Sequence, residues 1–267
     1  MVMTNLATRH VPSAGYGVRQ AVRAELTKLG SIRSTGRTLF ATVVGTFLVT
    51  VLATSSFQHH GRGLLHGFDA TNQSLTGLAL GSLTIGVLGV LMITGEYSSG
   101  TIRSSLAATP RRPLFLGAKV AVIGAISLVV GEILTFSCFF TGRAILSGRA
   151  PVATLGQPGV LRALLLSGAF LALLGMFGLG LGVIIRDTAG AIAAYVGIIF
   201  LVPVVLQSLN AHGNPGRFAP ESILANSVAA VIRQPDQLSA TTGFVFMVLY
   251  CALALGIGVA LLSRRDA

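Results

Sequence analysis

Long apolar runs alternate with short polar stretches along this chain, and six of the runs are long enough to cross a bilayer. A hydrocarbon core of about 30 Å takes roughly 20 helical residues, because each residue rises about 1.5 Å. The spans predicted on this pattern cover residues 38–57, 74–94, 114–140, 160–185, 188–209 and 242–262. The fold class expected is an all-α integral membrane protein. Its parts are an N-terminal segment (1–37), one six-span domain (38–262) and a short tail (263–267), with no internal repeat and no linker.

Composition agrees. The chain is 52% hydrophobic and only 10% charged, with a mean hydropathy of +0.80, whereas soluble domains carry about 25% charged residues. A soluble bundle of six buried helices would have too little polar sequence left to solvate its exterior. The first sixteen residues are polar and lack the apolar stretch of a secretory signal, so none is expected to be removed.

The net charge of +11 would ordinarily raise nucleic-acid binding, but topology accounts for it. With six spans both ends share a side, and cytoplasmic termini put most of the 19 Lys and Arg inside. Arg143, Arg149 and Arg162, near the ends of the third-to-fourth loop, argue mildly the other way. The location expected is the cell membrane, with the lipid bilayer as a partner and no nucleic acid.

Residues 17–36 read as an amphipathic helix along the cytoplasmic surface. Val18, Val22, Leu26, Leu29 and Ile32 recur at helical spacing, while Arg19, Arg23, Lys28 and Arg37 can meet headgroups or water. Glu25 and Arg33 fall within or beside the apolar stripe, so the helix is either shallowly embedded or partly covered by protein. A surface anchor and a partner contact through Glu25 are the two readings.

Between the second and third spans lies Gly95-Glu96-Tyr97-Ser98-Ser99-Gly100-Thr101-Ile102-Arg103. Gly95 can end the second span, and Thr101 can cap a short helix over 102–108 before Pro110 and Pro113 break it. The result is a rigid knob between two spans, suited to carrying a partner's movement into the membrane. An ordinary solvated turn is the plainer alternative.

These two segments resemble the permease subunits of type-2 ATP-binding-cassette (ABC) transporters. The likeness rests on Glu25-Leu26-Thr27-Lys28-Leu29 followed by Ile32-Arg33-Ser34-Thr35, and on Thr94-Gly95-Glu96-Tyr97 with Gly100-Thr101-Ile102-Arg103. The order of spans also fits along nearly the whole chain. Where such permeases carry aromatics in the N-terminal helix, this chain has Leu26 and no Trp anywhere. The resemblance implies a coupling helix that contacts a separate ATPase. It assigns that interface to Glu96, Tyr97, Gly100, Thr101, Ile102 and Arg103, with Glu25, Lys28 and Leu29 beside them. It further implies a dimer of two copies, or of one copy with a similar chain, with ATP and magnesium on the partner ATPase.

The chain has no G-x-x-x-x-G-K-[ST] phosphate loop and cannot hydrolyse ATP by that route, so it is not expected to be an enzyme itself. No bound cofactor and no metal site is expected. His59, His60 and His66 with Asp69 match no ligand spacing and read as a solvated loop, and Cys138 and Cys251 read as packing residues within spans. Glu132 lies well inside the third run. An ionisable group there is costly and calls for a partner or an aqueous cavity, which leaves a structural role and a place on a transport path both open.

Gly175, Gly178, Gly180 and Gly182 in the fourth span, with Gly190 and Ala194 in the fifth, offer small faces for close helix approach. Pro203 should kink the fifth span. After Pro220, the residues Ile223, Leu224, Val228, Val231 and Ile232 form one apolar face too short to span, read as a short interfacial or re-entrant helix on the outer side. The function expected is an exporter permease whose substrate the sequence does not specify. A proton-coupled carrier using Glu132 and a membrane-embedded enzyme built on the histidine loop are the competing readings.

Overall fold

The computed structural model describes residues 17–31, 33–60, 69–109, 111–147, 152–208, 215–228 and 238–264. Among these residues there is helix and no strand. Six helices are long and apolar enough to cross a membrane, which makes the chain a multi-pass membrane protein. In chain order the helices are α1 (Val18–Ser31), α2 (Arg33–His60), α3 (Ala70–Ser74), α4 (Leu78–Ser98), α5 (Ile102–Ala108), α6 (Arg112–Leu146) and α7 (Val160–Ile185). They are followed by α8 (Thr188–Val196), α9 (Val202–Ser208), α10 (Pro220–Val228) and α11 (Ala240–Arg264).

The spans are α2, α4, α6, α7, the α8–α9 pair and α11. At the centre stands α7, which packs against α4, α6 and α11. Its apolar window is 78% buried, against 22% for α2 and for α8–α9. Glycine explains this central place. A Cβ on Gly178 would lie 2.2 Å from the carbonyl oxygen of Gly86, so the α4 and α7 backbones touch. The glycine-rich face expected in the fourth span is used here, and α4 answers it with Gly86 and Gly89.

At the margin, α2 shows the polarity of a membrane helix. Phe40, Val44, Phe47, Leu48 and Leu52 are exposed, while Thr42, Thr46, Thr50 and Thr54 form an inward stripe at four-residue spacing. Their hydroxyls satisfy themselves locally where they can. Thr50 donates to the Thr46 carbonyl and contacts Cys138 Sγ at 3.2 Å. Opposite this stripe, α4 approaches with Gly77 and Gly81, positions where a Cβ would meet Thr50 and Thr46.

Several boundaries differ from the pattern of apolar runs. The second span starts at Leu78 instead of residue 74, because Asp69 accepts from the Thr71 and Asn72 N–H groups and caps the separate short helix α3. It also runs past Gly95 to Ser98. The break comes instead at Gly100, whose φ of +71° only glycine adopts without strain. Helix α6 has 35 residues, about 50 Å at 1.5 Å per residue, and so outreaches the hydrocarbon. In the fifth span a π turn over Gly197–Leu201 precedes Pro203, widening the ladder where proline supplies no N–H.

Two contacts gather the elements at one end of the bundle. Arg112, opening α6, donates to the carbonyls of Leu262 and Ser263 at the end of α11. Arg186, in the tight turn between α7 and α8, stacks over Tyr97 at the end of α4, 5.3 Å from the ring centre. At the other end, α10 packs on α11 and α7 and buries Ile223, Leu224 and Val228. Val231 and Ile232 of the expected apolar face lie outside the described residues.

Candidate functional site

The N-terminal helix meets the bundle through Ala21 and Glu25. Ala21 and Glu25 are buried, whereas Val18 and Leu26 of the apolar stripe are exposed. The helix therefore leaves Val18 and Leu26 outward and turns Glu25 inward against α6, its principal neighbour. This resolves the position of Glu25 that the helical stripe left open: it is covered by protein of the same chain.

What receives Glu25 is Lys119, on the second turn of α6. The Lys119 side chain is 1% exposed, and its Nζ donates to Glu25 Oε2 at 2.7 Å and to Glu96 Oε1 at 2.8 Å. Its stem also packs beside Phe115, with Nζ 5.0 Å from the ring centre. Lys28 closes the group by donating to Glu96 Oε1 at 2.8 Å, Glu25 Oε1 at 3.4 Å and Ser105 Oγ at 3.0 Å. Two acids and two bases thus form one neutral cluster joining α1, α4, α5 and α6. Bonds between charged groups are short and strong, and a buried ammonium is tolerable only when paired in this way.

Burial lowers the affinity of Lys28 for its proton, but the hydrogen bond and charge of Glu96, with Glu25 behind it, outweigh that effect. The ammonium is held above its ordinary value of 10.5. The group is therefore charged throughout the physiological range.

Helix α5 spans Ile102–Ala108, as its flanking residues predict. Thr101 stands at the N-cap position, yet its side chain does not cap. Its backbone is already helical, and its hydroxyl pairs with Ser99 Oγ at 2.9 Å. Ile102, 4% exposed, is the anchor and packs into the core with Phe115, Leu116, Leu179 and Leu262. Gly100, Thr101, Arg103 and Ser104 remain exposed. The residues of the expected interface thus divide by position. Glu25, Glu96 and Ile102 are turned into the chain's own structure, Tyr97 lies half-buried under Arg186, and Lys28 is partly exposed at the junction. Leu29 sits on α1, and its side chain lies outside the described residues.

Glu132 is apart from this cluster. It is half-buried on α6 against the backbone of Gly168 in α7, and its Oε2 has no hydrogen-bond partner among the described residues. His66 and the side chains of His59 and His60 lie outside the described residues, and Asp69 is used as the helix cap of α3. Among the described residues no three His, Cys, Asp or Glu side chains gather as a metal site.

Lys119 is the residue that sequence reasoning missed. A signal was present, since it lies inside the apolar run 114–140, between Ala118 and Val120. The rule that made Glu132 conspicuous, that a charge within a span calls for a partner, applies to Lys119 equally. Ser105 and Arg186 carried no such signal. Compared with known protein families and with curated proteins, the chain matches none.

Proposed function

We propose that this chain is the membrane-spanning permease subunit of an ATP-driven exporter of the type-2 ABC kind, coupled through α5 to a separate ATPase. The observation that carries the reading is the cluster centred on Lys119. A short helix anchored by Ile102, whose Ser105 accepts from Lys28, is tied through Lys28 and Glu96 to Lys119, and so to α1, α4 and α6. A push on its exposed side is therefore delivered to two spans and the N-terminal helix together.

In this reading the contact face is formed by Gly100, Thr101, Arg103 and Ser104. Glu25, Glu96 and Ile102 hold that face in place. ATP and magnesium reside on the partner. The permease works as a dimer, with a second copy or a similar chain, in the cell membrane with both termini in the cytoplasm.

The test is affinity purification of the tagged chain from mild detergent, with mass identification of what accompanies it and an ATPase assay. Wild type should bring down a separate ATPase. Arg103→Glu should lose it while remaining folded, and Glu96→Ala should lose or uncouple it. A chain that purifies alone under several gentle conditions would sink the reading. A proton-coupled carrier would then take its place, favoured by the Oε2 of Glu132, which has no hydrogen-bond partner among the described residues, and its transport would stop when the proton gradient is collapsed.

A further inference from the structure

At the α1 end of the bundle a cleft of about 820 Å³ lies between the start of α1, the first turns of α6 and the end of α11. Arg111 and Arg112 line it, together with Val18, Leu114, Gly117 and Ser263. Arg112 donates to the carbonyls of Leu262 and Ser263, which ties the opening of α6 to the close of α11. At this contact both spans change from apolar to basic sequence. The apolar run of α6 begins at Leu114, just after its two arginines, and Arg264 ends the run of α11 just after Ser263. A span makes that change where hydrocarbon gives way to headgroups. The arginines therefore lie at the level of lipid phosphates, and Gly117, more than a turn further along α6, lies deeper.

We propose that this cleft binds one anionic phospholipid, of the phosphatidylglycerol type, from the leaflet on the α1 side. Charge selects the headgroup. No acidic side chain lines the cleft. The acids described at this end of the bundle are engaged elsewhere: Glu25 and Glu96 with Lys28 and Lys119, and Asp187 with the Gly190 N–H at the start of α8. Arg111 is exposed, and its guanidinium has no ion pair or hydrogen bond among the described residues. A guanidinium presents a fork of N–H donors that matches two oxygens of one phosphate. Arg112 adds a second positive charge, held in place by the α11 carbonyls. A zwitterionic lipid would bring its own cation to a cleft that already holds two, whereas an anionic lipid brings the counter-charge alone.

The apolar side of the cleft selects a lipid over a soluble anion. Val18 is 63% exposed at its edge. Gly117 is exposed too, with nothing within 4 Å of an added Cβ, so a bare strip of α6 is open to an acyl chain below the arginines. The volume is that of a small-molecule site, about 300–1,000 Å³, and basic pockets between spans suit anionic headgroups. The inference requires that the chain spans a membrane and is independent of ATP coupling.

The experiment is native mass spectrometry of the full chain, purified in mild detergent and offered equal amounts of phosphatidylglycerol, phosphatidylethanolamine and phosphatidylcholine with identical acyl chains. Phosphatidylglycerol should be retained about tenfold over either zwitterionic lipid, the weight of two arginines beside one phosphate. Arg111→Gln should cut that preference about fivefold, with elution and melting unchanged because the side chain is exposed. Arg23→Gln removes the same charge from an exposed position of α1 outside the cleft and should leave the preference intact. Gly117→Leu should abolish it by filling the strip where the acyl chain lies. Equal retention of the three lipids would overturn the proposal, as would preference for a zwitterionic one. Equal losses in Arg111→Gln and Arg23→Gln would show that the preference follows net charge and not this cleft. A preference that survives in folded Gly117→Leu would overturn the location.

Discussion

Lys119 and Glu25 stand 94 positions apart in the chain and 2.7 Å apart in the structure, each almost wholly withdrawn from solvent. Removing Lys119 leaves the buried carboxylates of Glu25 and Glu96 to share Lys28 alone, and breaking a buried pair in this way costs about 3–5 kcal/mol. Lys119→Met should therefore lower the apparent melting temperature in detergent sharply. Combining it with Glu25→Gln should restore part of the loss, since Lys28 then faces one carboxylate instead of two. Wild-type melting of Lys119→Met would show that the cluster does not hold α1 to the bundle.

The contact of α4 with α7 gives a steric test. Gly178→Ala places a methyl 2.2 Å from the Gly86 carbonyl oxygen, where only backbone could yield. Overpacking of this kind costs about 1–3 kcal/mol. At Gly117 in α6 nothing lies within 4 Å of an added Cβ, and Gly117→Ala should be neutral or stabilise by up to about 1 kcal/mol. Melting curves of the two variants in the same detergent check the contrast, and similar losses at both positions would refute it.

Glu221 in α10 should give stability a pH dependence. Burial pushes its carboxyl up to about 7 from the ordinary 4.5. The folded chain thus holds the proton more tightly than the unfolded one. Its contribution is complete below pH 4.5 and is lost as pH rises through about 7. Stability of the wild type relative to Glu221→Gln should fall across that window and level off above it. Parallel pH dependences of the two melting temperatures would exclude Glu221 as the cause.

Glu132 separates the two transport readings. In an ATP-driven exporter, Glu132→Gln should keep substrate profile and rate, since amide and carboxyl fill the same space against Gly168. Transport measured in vesicles with and without a proton gradient decides the matter. Abolition by Glu132→Gln, together with gradient dependence, would transfer the mechanism to a proton-coupled carrier.

The spans were legible because a bilayer demands length and apolarity, both written locally in sequence. Residues 160–185 and 102–108 were placed to the residue, the first because Gly159 and Arg186 take left-handed conformations at its ends. The end of α4 was misplaced at Gly95 because a glycine does not by itself stop a helix. Glu96 and Tyr97 are held one turn further by Lys28, Lys119 and Arg186. Partners so distant in sequence leave no local trace. Glu25 announced itself by falling in an apolar stripe, and Lys119 by interrupting an apolar run, yet neither named the other.

The order of the charged residues along the chain has its own meaning for how the protein is made. Chains are synthesised from the N-terminus, and early parts begin to fold first. Glu25 and Glu96 both precede Lys119. When the third span leaves the ribosome, the two carboxylates that neutralise its lysine already exist, one on the helix before the first span and one at the end of the second. The costly ammonium is thus synthesised last, when both of its counter-charges are already in the chain.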